Sequence, residues 1–384
     1  MIHMKKLSIY LFVFTLLFTA LPNVSSAKPS LSAASSILME QKSGRVLYED
    51  DAHEIRRIAS ITKIMTAIIA IESGKLHEKV KMSERAVNTE GSSIYLKEGT
   101  EMKLEDLLYG LMLRSGNDAA VAIAEHVGGS VEGFVLLMNQ KAEQLGMENT
   151  SFANPHGLDD HEDHYSTAYD MALLTKYAME NEKFRVISGT KVHKVVHPDP
   201  DSQWDIEWRN KNRLLTDKYP YCTGGKTGYT KRANRTLVTT ATKGSLDLIA
   251  VTLDAPNDWE DHINMYEYGF STYKQVNIAK KGIKKFIKTE PYRHKVFIKN
   301  DIDYPLTKKE KKHIRIEYQL LKPKKEWKDK ENIPEVVGQM VVYLQDKPIK
   351  TVPLYYSDEK KEKKRFLHIF QSNFSGHLGV KQHG

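Results

Sequence analysis

Apolar positions change period several times along the chain. At residues 61, 64, 65, 68 and 69 they recur at helical spacing, which predicts a helix from about residue 60 that runs into a core and stops near Glu72-Ser73-Gly74. The same spacing returns over residues 104–113, 118–127, 131–145 and 169–179, the third of these closed by Gly146. Alternating positions predict strands at 33–40 and 44–48, joined by the turn Gln41-Lys-Ser-Gly44 into a hairpin ahead of the first helix. Three more, at 221–230, 236–242 and 246–252, read as an antiparallel sheet with a covering helix at roughly 258–273. Segments 75–101 and 180–215 read as short strands and irregular chain. Helices and an antiparallel sheet in one region of this length define an α+β fold.

From about Val276 the composition shifts, lysines crowd in, and short alternating strands at 294–298, 313–320, 336–344 and 350–355 predict a small all-β module. The expected organisation is a body over 28–275, a β-rich module over 276–357, and a basic tail over 358–384 in which Phe366-Leu-His-Ile-Phe370 follows a charge run. Such a tail can lie on an anionic membrane or stay unpartnered. At the other end, Lys5 and Lys6 precede an apolar run over 7–21 and then Ser25-Ser26-Ala27, the pattern of a cleaved secretion signal, with a retained anchor as the alternative. The mature chain is therefore expected outside the cytoplasm.

At 384 residues and 40% hydrophobic composition the chain can fill a sizeable core. Cys222 is the only cysteine, which excludes an internal disulfide and a thiolate metal cluster. A net charge of +8 suits anionic wall polymers or lipid headgroups, and no nucleic-acid motif accompanies it.

Candidate chemistry enters at three places. Ser60-Ile-Thr-Lys63 puts a hydroxyl and an amine on one helical face, a nucleophile beside a base, provided that something lowers the lysine's pKa. Ser115-Gly-Asn117 interrupts two apolar helices, where Gly116 permits a sharp break and Asn117 can cap the next helix. Lys226-Thr-Gly228 lies on a predicted strand. A polar loop, Asn154-Pro-His-Gly-Leu158 followed by Asp159-Asp-His-Glu-Asp-His164, offers three histidines, but their spacing matches no common zinc site and the loop reads as a solvated lid. Neither metal nor cofactor is expected.

In this order, Ser-x-x-Lys, Ser-x-Asn and Lys-Thr-Gly resemble the signature of penicillin-recognising serine enzymes, and the whole chain resembles the low-molecular-mass penicillin-binding proteins, serine D-alanyl-D-alanine carboxypeptidases of the sporulation type. That resemblance implies a helical cluster on a five-stranded sheet, followed by a β-rich domain. It also implies Ser60 as acylated nucleophile, Lys63 as base with Lys226 lowering its pKa, and Ser115 as proton relay. Asn117, Lys226, Thr227, Gly228 and Tyr229 would bind substrate, with the backbone N–H groups of Ser60 and Tyr229 as oxyanion hole. The implied substrate is the D-Ala-D-Ala end of a peptidoglycan pentapeptide, and β-lactams are the implied inhibitors. Two alternatives share the motifs: a class A-like β-lactamase and a non-catalytic wall-binding protein. One departure stands out. Some members of the family hold the substrate carboxylate with an arginine just after the hairpin, yet none occurs between Arg235 and Arg293, where the stretch reads Asp254-Ala-Pro-Asn-Asp-Trp-Glu-Asp-His262.

Overall fold

A computed structural model describes residues 28–196 and 205–357. The predicted signal and tail lie outside these residues. The chain forms two compact units, one of residues up to Thr242 with Asp247–Thr272, the other of Lys243–Leu246 with Tyr273 onward.

In the first unit a five-stranded sheet carries the strands β1 (Ser35–Glu40), β2 (Val46–Asp50), β3 (Cys222–Thr230), β4 (Asn234–Lys243) and β5 (Leu246–Leu253) in the order β2-β1-β5-β4-β3. The first two strands are therefore inserted beside the last, which ties the two ends of the unit together. β1 pairs antiparallel with β5, Ser36 opposite Thr252 and Met39 opposite Ile249, and its six residues are all buried. The central helix α1 (Lys63–Glu72) is buried at every position from Lys63 to Ile71. A helix apolar on all sides must be enclosed, and α1 packs against α2 (Asn117–Gly128), α3 (Val131–Leu145) and α4 (Ala168–Ala178). The helix α5 (Asp258–Thr272) packs on β1 and β2. A seven-residue helix, Glu182–Ser188, falls in a stretch expected to be irregular. No single helix among the described residues is long and apolar enough to cross a membrane.

Two local expectations change. Ser60 is not in the first turn of an α-helix but in a 3₁₀ turn, Ala59–Thr62, and α1 begins at Lys63. Positions i and i+3 eclipse in such a turn, so Ser60 and Lys63 are brought closer than an α-helix would bring them. At the break before α2 the left-handed residue is Ser115, φ 67°, and not Gly116, φ −59°. Gly116 is small for a different reason, because a Cβ there would stand 2.7 Å from Asp118 Oδ1. Asn117 opens the helix as its first residue and caps nothing.

The second unit contains a five-stranded sheet whose strands follow the order Gly282–Ile283, Val296–Ile298, Lys347–Tyr356, Val336–Leu344, Ile314–Leu320. Tyr292, Val296, Met340 and Leu354 fill its core. A separate ribbon pairs Lys274–Ala279 with Ile302–Leu306, both absent from the strands read in the sequence.

Candidate active site

One strained position shapes the turn that carries Ser60. Ala59 has φ 49°, in the left-handed region where a side chain is disfavoured. The strain is held by bonds on both carbonyls of the turn: Thr236 Oγ1 of β4 donates to Ile58 O at 2.9 Å, and Thr62 Oγ1 donates to Ala59 O at 2.8 Å. His164 completes this support. Its Nδ1 accepts from Ala153 N–H at 3.0 Å, so its proton is on Nε2, which donates to Thr62 Oγ1 at 2.8 Å. Gly157 closes the arrangement, since a Cβ there would fall 1.9 Å from Ala59 O.

Lys63 Nζ lies 2.9 Å from Ser60 Oγ, 2.7 Å from Asn117 Oδ1 and 2.7 Å from His156 O. The last two are pure acceptors here. A neutral amine has two hydrogens for them and one lone pair left, directed at the Ser60 hydroxyl. Burial is the largest cause that drives the Lys63 pKa well down; the Lys226 charge comes next and the Lys211 charge third. Like-charge repulsion, expected as the cause, is thus second to desolvation. Asn117 is locked in place by its Nδ2, which donates to Glu90 O at 2.6 Å.

From the opposite wall, Lys226 of β3 donates to Ser115 Oγ at 3.1 Å and to Thr227 O at 2.7 Å. Burial, with Lys211 next, lowers its pKa to about 7. Gly228 lets β3 approach the Ser60 turn, because a Cβ would meet Thr236 Oγ1 at 2.3 Å and the Ser60 backbone N at 2.9 Å. Ser60, Ser115, Thr227, Gly228 and Tyr229 line one cleft of about 290 Å³.

Sequence reading missed four lining residues: Ser92, Lys211, Arg235 and Trp259. Arg235 matters most. It sits opposite Tyr229 in the β3–β4 ladder, and its Nη2 donates to both oxygens of the buried Asp258 at 2.8 Å while its guanidinium lies 5.3 Å from the centre of the Trp259 ring. The segment that lacks the expected arginine therefore supplies the carboxylate and the ring that hold one arriving from the next strand. A strand pair was legible; its register was not.

The solvated-lid reading needs correction. His156 and His164 are buried, 7% and 1% exposed, and burial lowers both to about 3, so each is neutral beside Lys63. Among the described residues no three His, Cys, Asp or Glu side chains are grouped to hold a metal ion. Cys222 lies half-buried on β3 outside the cleft lining, its thiol pushed up to about 11 by burial.

Residues 23–257 match the family described as D-alanyl-D-alanine carboxypeptidase, well over half of the chain. The chain belongs to that family. Residues 273–362 match the penicillin-binding protein 5 C-terminal domain. The chain is 37% identical over 294 residues to the D-alanyl-D-alanine carboxypeptidase DacF of Bacillus subtilis, covering 73% of this chain and 74% of the relative. It is 35% identical to DacC of Escherichia coli, over 71% and 70% of the two chains. Among solved structures, penicillin-binding protein 5 from Haemophilus influenzae superposes with a TM-score of 0.69 at 27% identity, over 87% of this chain and 99% of that one. The α+β catalytic fold followed by a β-rich domain is the fold of this family.

Proposed function

We propose that the cleft removes the terminal D-alanine from peptidoglycan stem peptides through an acyl-enzyme on Ser60. Ser60 Oγ attacks the carbonyl of the penultimate D-alanine and its proton passes to Lys63 Nζ. The Ser60 and Tyr229 N–H groups hold the oxyanion. Collapse breaks the C–N bond, Ser115 relays a proton to the leaving amine, and water then hydrolyses the ester. The second hydrogen of Asn117 Nδ2 remains for a substrate carbonyl. Thr227 and Arg235 receive the terminal carboxylate, which relocates the arginine of the family to β4. The observation that carries this reading is the 2.9 Å contact between Ser60 and a buried lysine already held by two acceptors.

A β-lactam ring would acylate the same oxygen. Intact mass measurement after benzylpenicillin should show one adduct on the wild type and none on Ser60→Ala; an adduct on that variant refutes the assignment. Release of free D-alanine from diacetyl-Lys-D-Ala-D-Ala tests turnover.

We place the enzyme outside the cytoplasm, after removal of residues 1–27, in cell-wall and spore-cortex maturation. Residues 273–357 carry 21 Lys and Arg against 10 Asp and Glu, an excess suited to contact with an anionic membrane along with the tail. Fractionation of the full chain and of a truncation at residue 357 tests the contact: loss of membrane association on truncation supports the tail, and unchanged partition refutes it.

A further inference from the structure

His156 belongs to two places at once. Its carbonyl accepts from the catalytic amine of Lys63, while the residue also lines a second, open groove of about 890 Å³. The apolar wall of this groove is Val121, Val131 and Val135. Carboxylates of Glu90, Asp159 and Asp160 face it, and the one arginine there, Arg85, is paired with Glu132 at 2.9 Å. His156 is 7% exposed and accepts from Leu158 N–H through Nδ1 at 3.2 Å, which leaves its proton on Nε2. That N–H has no hydrogen-bond partner among the described residues. It reaches the open groove, where an acceptor on an occupant can replace solvent.

We propose that this groove binds an amine-bearing peptide, its ammonium group against Glu90 and Asp159, a carbonyl oxygen on His156 Nε2–H, and its apolar side on the valines. The inference rests on the substrate class proposed above, because a stem peptide with a free diamino-acid side chain has this chemistry. Occupancy is felt at the nucleophile. Glu90 O holds Asn117 and His156 O holds Lys63, so a ligand that shifts either segment changes how Lys63 meets Ser60.

The test uses enzyme whose Ser60 has been acylated with benzylpenicillin, which closes the catalytic cleft. Titration calorimetry with the tetrapeptide L-Ala-γ-D-Glu-L-Lys-D-Ala should show saturable binding, weakened at least tenfold when the lysine ε-amine is acetylated. Val135→Trp, which fills the groove, should abolish binding; if that variant does not fold, Glu90→Gln with Asp159→Asn should weaken it at least tenfold. No binding to acylated enzyme, equal binding of the acetylated peptide, or full binding by the altered groove overturns the proposal. If benzylpenicillin fails to acylate, the reading of Ser60 fails, and the same titration on Ser60→Ala protein still decides the groove.

Discussion

The two walls of the cleft differ in what they can tolerate. The helical wall, with the Ser60 turn, Lys63, Ser115, Asn117 and the loop through His156, is buried and held by crossed hydrogen bonds around a left-handed Ala59. The strand wall shows Tyr229 at 64% exposure and the Arg235 side chain at 39%, both open to an incoming peptide. Position-sensitive proton transfer needs fixed atoms, whereas recognition needs groups that can desolvate on contact. Changes on the helical wall should therefore fall on kcat and on acylation rate, and changes on the strand wall on KM. Lys226 is the exception that joins them, a strand residue fully buried against Ser115.

The largest effect belongs to Lys63→Ala. Without the base, the second-order rate of benzylpenicillin acylation should fall by on the order of 10²–10⁴-fold, the usual contribution of general-base catalysis. Stopped-flow or mass-resolved acylation measures it, and a rate within tenfold of wild type would remove Lys63 from its role. Next comes Gly157→Ala, at a residue outside the cleft lining. The new Cβ must displace the Ala59 carbonyl by well over an ångström, and misplacement on that scale costs roughly 10²-fold. Acylation should drop while KM for the peptide holds; an unchanged acylation rate would show that the turn does not aim Ser60.

On the strand wall, Arg235→Ala should raise KM by roughly 10–100-fold, about the worth of a hydrogen bond to a charged group, with kcat little altered. The comparison sharpens with a substrate whose terminal carboxylate is replaced by a carboxamide. Wild type should then lose as much affinity as the variant, and the variant should lose no more. If Arg235→Ala still discriminates the two substrates fully, the carboxylate is held elsewhere.

These contrasts also explain what the sequence could disclose. That Ser60 meets Lys63 and Ser115 meets Lys226 was legible because short motifs mark all four, and periodicity located the helices and strands that present them. Arg235 was not, because its place in the cleft depends on the β3–β4 register and on Asp258 and Trp259 from a later segment. The strain at Ala59 was equally silent: alanine carries no signal for a positive φ, and its supports at Thr236, His164 and Gly157 lie 98 to 177 residues away in sequence. The histidine loop misled for a physical reason. Its acids are solvated, but the two histidines fold inward to satisfy backbone N–H groups at Ala153 and Leu158.

The smallest expected effect is on pH dependence. Lys211 lines the cleft, and its charge lowers the pKa of both Lys63 and Lys226. Removing that charge in Lys211→Ala must raise both. As the proposed base, Lys63 acts only when neutral, so a higher pKa means that a smaller fraction is competent at a given pH below it. The acidic limb of the kcat/KM profile should move to higher pH by a fraction of a unit, with rates at the alkaline plateau unchanged. A limb that stays in place or moves to lower pH would mean that Lys211 is screened from the base, and that burial together with Lys226 alone sets its charge.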